Sequence, residues 1–385
     1  MYMKQVLTGL FLCVCLGVSH AAVTVGACIP GQHSYPTITS AIAAAHQGDV
    51  INVCPGTYAE QLTITKGLTI QGVVVAHKPG VTITAPAAGL HALPAGSGSY
   101  PQVFVNNANG QVTLHNLAIS GTGASVLVGS IVFDTTSACQ IGFLQDFPGI
   151  SFVRTHGTVD HVSVSGHFVT SATPDSGPGE FPDCGTGIEF NNRNEQAVVQ
   201  ESVVNGFGFV GILSTGKLDA DHNVVGSSDS GPFQVGIEAG TGSSITGNAV
   251  TGGMTIGSIG IQSAGVINDN TVQSWSVGVV STGKIRHNML LNNMTGISGA
   301  TDTDDNVISA AAQYPDPQCD INSCEPGEEN KPSIGIDLRC EDGSMVKNNE
   351  ITGVGIGVAE VKKSEILSTT NLFANVTTTS TSCAQ

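Results

Sequence analysis

The stretch "GPFQVGIEAGTGSSITGNAV", residues 231–250, decides the fold. Its Gly-Ile pair at Gly236 stands twelve positions before Asn248, and the chain repeats the arrangement. Gly-Ile or Gly-Val pairs begin at Gly187, Gly211, Gly236, Gly260, Gly278, Gly296, Gly335 and Gly355, with successive spacings of 24, 25, 24, 18, 18, 39 and 20. Asn with an aliphatic residue two places on occurs at Asn116, Asn223, Asn248, Asn270, Asn288, Asn306 and Asn349, and from Asn223 to Asn306 the spacings are 25, 22, 18 and 18. Two independent markers keep step, so the repeat is real.

A repeat of this short period, with alternating apolar positions between turn residues, points to a solenoid. In "SSITGNAV" and "KIRHNMLL" the alternation is that of strands with one buried face. Three short strands per unit, each stacked on the unit before, make an all-β parallel β-helix rising about 4.8 Å per coil. The composition agrees: Gly numbers 49 and aromatics are only 5%. The Asn column is expected to tolerate a left-handed bend and to pass amide hydrogen bonds from coil to coil, and the Gly column to open the other turn.

The segment 1–22 reads as a secretory signal: Lys4, then the apolar run "VLTGLFLCVCLGV", then the small residues of "SHAA". The mature chain, 23–385, is expected to form one domain outside the cytoplasm, secreted or periplasmic. No later segment is long and apolar enough for membrane insertion. Eight cysteines follow the leader, so disulfides are expected. Cys28 with Cys54 is the leading pair, because both flank one short predicted helix, while the pairing of Cys319, Cys324, Cys340 and Cys383 is open. No CxxC pair or His partner at ligand spacing supports a zinc site among them. The formal charge of −17 argues against nucleic acid as a partner.

The helix lies within residues 35–72, with Thr39 or Ser40 capping its start, Gly48 ending it, and Ile42 and its alanines plugging the open end of the core. That run carries the pattern "TIxxAIxxAxxGDxIxVxPGTYxE" in Thr37, Ile38, Ala41, Ile42, Gly48, Asp49, Ile51, Val53, Pro55, Gly56, Thr57, Tyr58 and Glu60. It resembles the opening of the pectin-lyase-like proteins, among them pectate lyases, polygalacturonases and pectin methylesterases. The resemblance implies a right-handed parallel β-helix with a short N-terminal capping helix, and it implies activity only weakly. "LQDF" resembles the methylesterases' Gln-Asp pair and would give Asp146 an acid role. The companion "DFIFG" and "GRPW" motifs are missing. So are the polygalacturonases' "NTD", "GHG" and "RIK" and the pectate lyases' "RxPxxR", so no activity carries over.

Three insertions break the period, at 135–150, 165–186 and 309–333, and each holds a cysteine. Cys139 with Cys184 would tie the first two together. Solenoid function gathers on one face built from such insertions. Between the first two, "SFVRTHGTVDHVSVSG" concentrates Arg154, His156, Asp160 and His161. Arg154, Asp160 and His161 are the candidate catalytic residues, as base, acid or nucleophile on a polysaccharide. The rival reading is that Asp160 and His161 are ordinary bend residues, since "VDHVSVSG" aligns with "LHNLAISG". Asp302, Asp304 and Asp305 in "TDTDDN" are candidate Ca²⁺ ligands, against a solvated acidic face, and the third insertion adds Asp316, Asp320, Glu325, Glu328 and Glu329. Phe233 and Trp275, each three positions before a Gly-Ile or Gly-Val marker, are candidate sugar-stacking residues, against ordinary packing. His115, His222 and His287 precede the Asn column and are too far apart to share one metal.

The functional expectation is an exported protein that binds or cleaves a polysaccharide, as a uronan lyase or glycoside hydrolase, with Ca²⁺ offsetting its acidity on a polyanion. The alternative is a non-catalytic surface solenoid for adhesion, assembly or glycan recognition. Convergence of Arg154 and Asp160 with other titratable groups in a groove would favour the enzyme.

Overall fold

The structure is a computed structural model that describes residues 22–75, 78–140, 146–168, 184–192, 195–227, 233–255, 257–299, 302–315, 330–341, 343–362, 366–367 and 369–383. Three parallel sheets of 14, 12 and 12 strands run its length. The chain visits them in a fixed order. Val50–Val53, Gly56–Ala59 and Leu62–Lys66 open one coil, and Thr69–Gly72, Val81–Thr84 and Val103–Asn109 stack on them in the next. We call the sheets first, second and third in that order. The fold is a right-handed parallel β-helix, the hand that parallel crossovers take.

The inward residues of successive coils stack in register. In the third sheet Ile188, Ile212, Ile237, Ile261, Val279, Ile297, Ile336 and Val358 form one fully buried column. Each follows a glycine. That glycine lies within or at the edge of the strand rather than opening a turn, and there is no room beside it for a side chain. A Cβ on Gly236 would sit 2.5 Å from the Gly260 carbonyl oxygen, and one on Gly260 would sit 2.5 Å from that of Gly278. The last member of the column is Gly357 rather than Gly355, because Ile336 pairs with Val358.

The asparagines stack as well, with their two expected tasks divided. Asn223, Asn248, Asn270, Asn288, Asn306, Asn349 and Asn371 are buried at the bend between first and second sheets. Each Nδ2 donates to the next Oδ1 at 2.9–3.1 Å, as does each backbone N–H. The left-handed backbone falls one residue earlier, at His222 (φ 54°), Asp269 (58°), His287 (54°), Asp305 (54°) and Asn348 (55°). Asn116 (φ 53°) belongs to that second set, with Leu117 at the ladder position.

The N-terminal helix is Ile38–Ala44, and it buries Ile38, Ala41 and Ile42 against the core, as a plug should. Thr37, rather than Thr39 or Ser40, caps it, and Ala45 ends it ahead of Gly48. Glu60 accepts from the Ile38 and Thr39 N–H groups at 2.9 and 2.8 Å, placing negative charge on their unpaired donors. The strand Ala22–Val25 pairs with Val50–Val53, while residues 1–21, where the leader is expected, lie outside the described residues.

Disulfides join Cys28 to Cys54, Cys139 to Cys184 and Cys340 to Cys383. Such pairs persist in oxidising compartments, in keeping with a location outside the cytoplasm. Cys319 and Cys324 lie outside the described residues. The insertions all leave from turns between second and third sheets. The first is larger than 135–150: a hairpin, Ser125–Val128 with Ile131–Asp134, precedes the helix Thr135–Gln140. Another excursion, 85–102, joins it in a second apolar cluster of Leu90, Tyr100, Val126, Ala138 and Phe147. Of 309–333, the antiparallel pair Gln313–Pro315 and Asn330–Pro332 is described, and its acidic middle is not.

Candidate functional site

The outward column of the third sheet is set by the same register as its core. Phe104, Ser151, Glu189, Leu213, Glu238, Gln262, Val280, Ser298 and Asp337 lie side by side on consecutive coils. Its upper end is covered by described residues of the first insertion and of the 85–102 excursion, with Cys139–Cys184 beside them, and Asp146 lies close enough to Glu189 to feel its charge. Asp146 Oδ1 accepts from the Phe147 N–H at 2.8 Å and from Thr186 Oγ1 at 3.0 Å, and Glu189 Oε2 accepts from Ser151 Oγ at 2.8 Å.

Burial, reinforced by the Glu189 charge, pushes Asp146 up to about 7 against those two hydrogen bonds. Burial also raises Glu189, opposed by the Ser151 bond, and raises Glu238 two coils on. Beneath this cover, wholly buried His167 sets Nε2 3.1 Å from Gln102 Oε1 and packs against Phe147 with ring centroids 4.8 Å apart and planes tilted by 45°. Burial drives it down to about 3, so it is neutral. Two carboxyl groups in one low-dielectric site, one holding its proton near neutrality, are equipped for acid–base chemistry. Further down, Gln262 and Val280 border an open groove of about 430 Å³ edged by Arg339 and Glu341.

The run from Arg154 to His161 is divided between two turns. Arg154 (φ 49°) and His156 sit where the third sheet passes to the first, and His156 Nε2 meets Glu195 at 2.5 Å. Asp160 and His161 sit at the other end of Gly157–Asp160, roughly 13 Å along the strand. Asp160 does meet other titratable groups. His115 Nδ1 lies 2.8 Å from Oδ2, His161 Nδ1 lies 2.6 Å from Oδ1, and His161 Nε2 reaches Glu201 at 2.8 Å. Burial alone would raise Asp160, but hydrogen bonds from His161 and Gln200 and the nearby imidazoles hold it below the usual carboxylate range. His115 ends a strand one residue before the bend, while His161, His222 and His287 occupy the bend itself.

Trp275 does not share a face with Phe233. It is fully buried, its Nε1 3.3 Å from the Val250 carbonyl, because glycine at 252 leaves the space its indole fills. Phe233 is 52% exposed on a turn entering the third sheet, and its exposed neighbour on the preceding coil is Phe209, at 39%. Asp302, Asp304 and Asp305 are engaged separately, by Arg286 at 2.9 Å, Lys347 at 3.1 Å and His287 at 3.8 Å. Among the described residues, these three do not converge as ligands of one ion.

Sequence reasoning missed Glu189 and Glu238, yet both were marked. Each follows directly on a Gly-Ile pair, in "GIEF" and "GIEA", the position that faces outward beside every buried aliphatic of the third sheet. Asp146 came only from resemblance. His167 had no signal, since its burial depends on a loop far away in sequence, at Gln102.

No protein-family model matches this sequence, and no curated protein does. Solved structures are similar at the level of fold alone. The A-module of mannuronan C-5 epimerase AlgE4 from Azotobacter vinelandii is 14% identical, covers 83% of this chain and 91% of its own, and superposes with a TM-score of 0.46. The AlgE6 A-module of the same organism gives 14%, 88%, 94% and 0.45. PfbA, a surface adhesin of Streptococcus pneumoniae, gives 12%, 89%, 87% and 0.40.

Proposed function

We propose that the outer face of the third sheet binds an extended polysaccharide, and that Asp146 and Glu189 cleave it. The reading rests on one observation: a roofed carboxyl pair in which Asp146 is pushed up to about 7 beside Glu189. Protonated Asp146 delivers its proton to the departing glycosidic oxygen, and Glu189, in its ionised form, serves as base or nucleophile. Phe209 and Phe233, exposed on adjacent coils along the same edge, supply faces on which sugar rings stack. With Glu189, Glu238 and Asp337 on the face and a formal charge of −17, a neutral glycan is favoured over a polyuronate. A polyuronate would need Ca²⁺ to bridge it, and Arg339 is the nearest described cation at the open groove.

The test incubates the mature protein with neutral and uronic-acid glycans, with and without Ca²⁺, and follows reducing ends and unsaturated products. New reducing ends should form and fall by roughly 10²-fold or more in Asp146→Asn and in Glu189→Gln. Unsaturated products that vanish with chelator would instead indicate lyase chemistry. Silence across the panel, together with glycan retention lost in Phe209→Ala/Phe233→Ala, favours the second reading, a non-catalytic recognition solenoid, which those two exposed rings support.

A further inference from the structure

The group at the upper bend is chemically distinct from the carboxyl pair under the roof. His115 and Asp160 are register partners on adjacent coils, and His161 follows Asp160 at φ 53°. The left-handed turn swings the His161 imidazole back over the carboxylate rather than onto the opposite face. The two rings meet edge to face with centroids 5.6 Å apart, and Asp160 lies between them. One ring nitrogen of His115, one Asp160 oxygen and one ring nitrogen of His161 all fall within 4.8 Å of one another, and Nδ1 is the atom each histidine turns to Asp160. Three donors bound to one ion at about 2.0–2.2 Å in a tetrahedral arrangement are themselves roughly 3.4 Å apart, so small side-chain rotations close the gap. The side chains are 27%, 17% and 47% exposed, which leaves a path from solvent.

We propose that His115, Asp160 and His161 bind one divalent transition-metal ion of the zinc class, with Glu201 as the positioning residue that orients His161. Two imidazoles with one carboxylate suit a borderline cation such as Zn²⁺ and disfavour Ca²⁺, which takes six or more oxygens. Glu201 holds His161 Nε2 at 2.8 Å, the outer carboxylate–histidine contact that fixes which nitrogen faces a metal. Water completes the shell from the solvent side. The ion ties two coils together at the bend where the amide ladder is missing: Leu117 and Val162 occupy the ladder position there, and Ser202 closes the ladder's upper end. Sequence spacing hides the site, because the first insertion separates the two histidines along the chain.

The test uses the full mature chain without an affinity tag, stripped by chelator and titrated with ZnCl₂ in a calorimeter. One ion should bind per chain, the melting temperature should rise, and Co²⁺ in its place should give the visible bands of a tetrahedral site. Zn²⁺ should also move the imidazole proton resonances of His115 and His161 in the unaltered protein, a readout independent of any variant. His115→Gln and His161→Gln should each weaken binding at least tenfold, and Glu201→Gln by about 10- to 100-fold. His222→Gln should leave it unchanged, although His222 holds the same bend position and touches Asp221 at 2.8 Å. No uptake at millimolar Zn²⁺, uptake that survives His115→Gln/His161→Gln, or unmoved imidazole resonances would overturn the proposal.

Discussion

The bend between first and second sheets is built in two ways along one molecule. From Asn223 to Asn371 it is an uninterrupted column of buried amides, each donating to the next until the column ends at Asn371. In the coils above, the inner position passes to Leu117, Val162 and Ser202, and the polar contacts move outside, to His115, Asp160, His161 and Glu201. The difference follows from what each half must accommodate. Lower coils recur at short, nearly even intervals over most of their length, so one side chain can repeat without a break. Upper coils carry the insertions that roof Asp146 and Glu189. There Leu117 and Val162 replace the amides inside, and the contacts between coils at the bend are left to the titratable groups outside, which in the lower coils accompany the ladder as His222 with Asp221 and His287 with Asp305.

The largest effect should come from cutting the ladder in its middle. Asn270→Ala removes the acceptor of the Asn248 backbone N–H and the donor to the Ile245 and Asn268 carbonyls, all in a buried column. With roughly 1–3 kcal/mol for each buried group left unsatisfied, the loss should be about 3–5 kcal/mol in urea unfolding. A loss under about 1 kcal/mol would mean that the aliphatic columns hold the coils unaided, and the contrast between the halves would lose its energetic meaning.

A smaller effect, confined to the upper half, should appear with pH. His167 has a folded value of about 3 against an ordinary 6.5, so its contribution is complete above about 6.5 and is lost as pH falls. Asp146 has a folded value of about 7 against 3.8, so its contribution is complete below about 3.8 and is lost as pH rises through 7. Amide exchange corrected for its intrinsic pH dependence should therefore accelerate at both extremes in Ile150–Val153 and Thr186–Asn191, by the equivalent of roughly 1–3 kcal/mol. Ladder amides should stay flat. His167→Gln should abolish the acid arm and Asp146→Asn should shrink the alkaline one; equal responses in both halves would break the comparison.

This division also explains what was legible beforehand. The fold was readable because every coil obeys one register, and a register writes itself into sequence as period: Gly, aliphatic, Asn. The same periodicity put Trp275 in one column with exposed Phe233, whereas the packing alternative holds for Trp275. A shared offset from the Gly markers says which coil a residue joins, not whether a glycine elsewhere has opened a space for its side chain. Cys28–Cys54 was readable because the pair flanks one short helix, and Cys139–Cys184 because each cysteine stands in one of two neighbouring insertions. Asp160 and His161 were found as a local cluster, but Arg154 was grouped with them by proximity in sequence, and one short strand, Gly157–Asp160, sends it to another turn. His115 and Glu201 were invisible as partners, since their contact to that cluster exists only after stacking. The period marks Glu189 and Glu238 as outward positions, but it cannot report which groups stacking and the insertions bring against them.

The smallest effect is also the sharpest test of why the ladder stops. Ser202 already accepts from the Val162 N–H through Oγ at 3.1 Å and gives its own N–H to Asn223 Oδ1 at 2.9 Å, so it occupies the ladder position with a shorter side chain. Ser202→Asn should extend the column by one coil: the new amide oxygen takes over the Val162 N–H, and the new amide donates to Asn223 Oδ1. One added buried hydrogen bond is worth about 1 kcal/mol, less the entropy of a longer side chain, so a gain between zero and about 1 kcal/mol is expected. That gain would show that the upper bend can take amides and carries imidazoles and carboxylates for another reason. A loss above about 1 kcal/mol would show instead that the roofed coils above Ser202 are spaced or tilted so that an amide cannot reach. The ladder would then end for steric reasons, and the titratable bend would need no function to explain it.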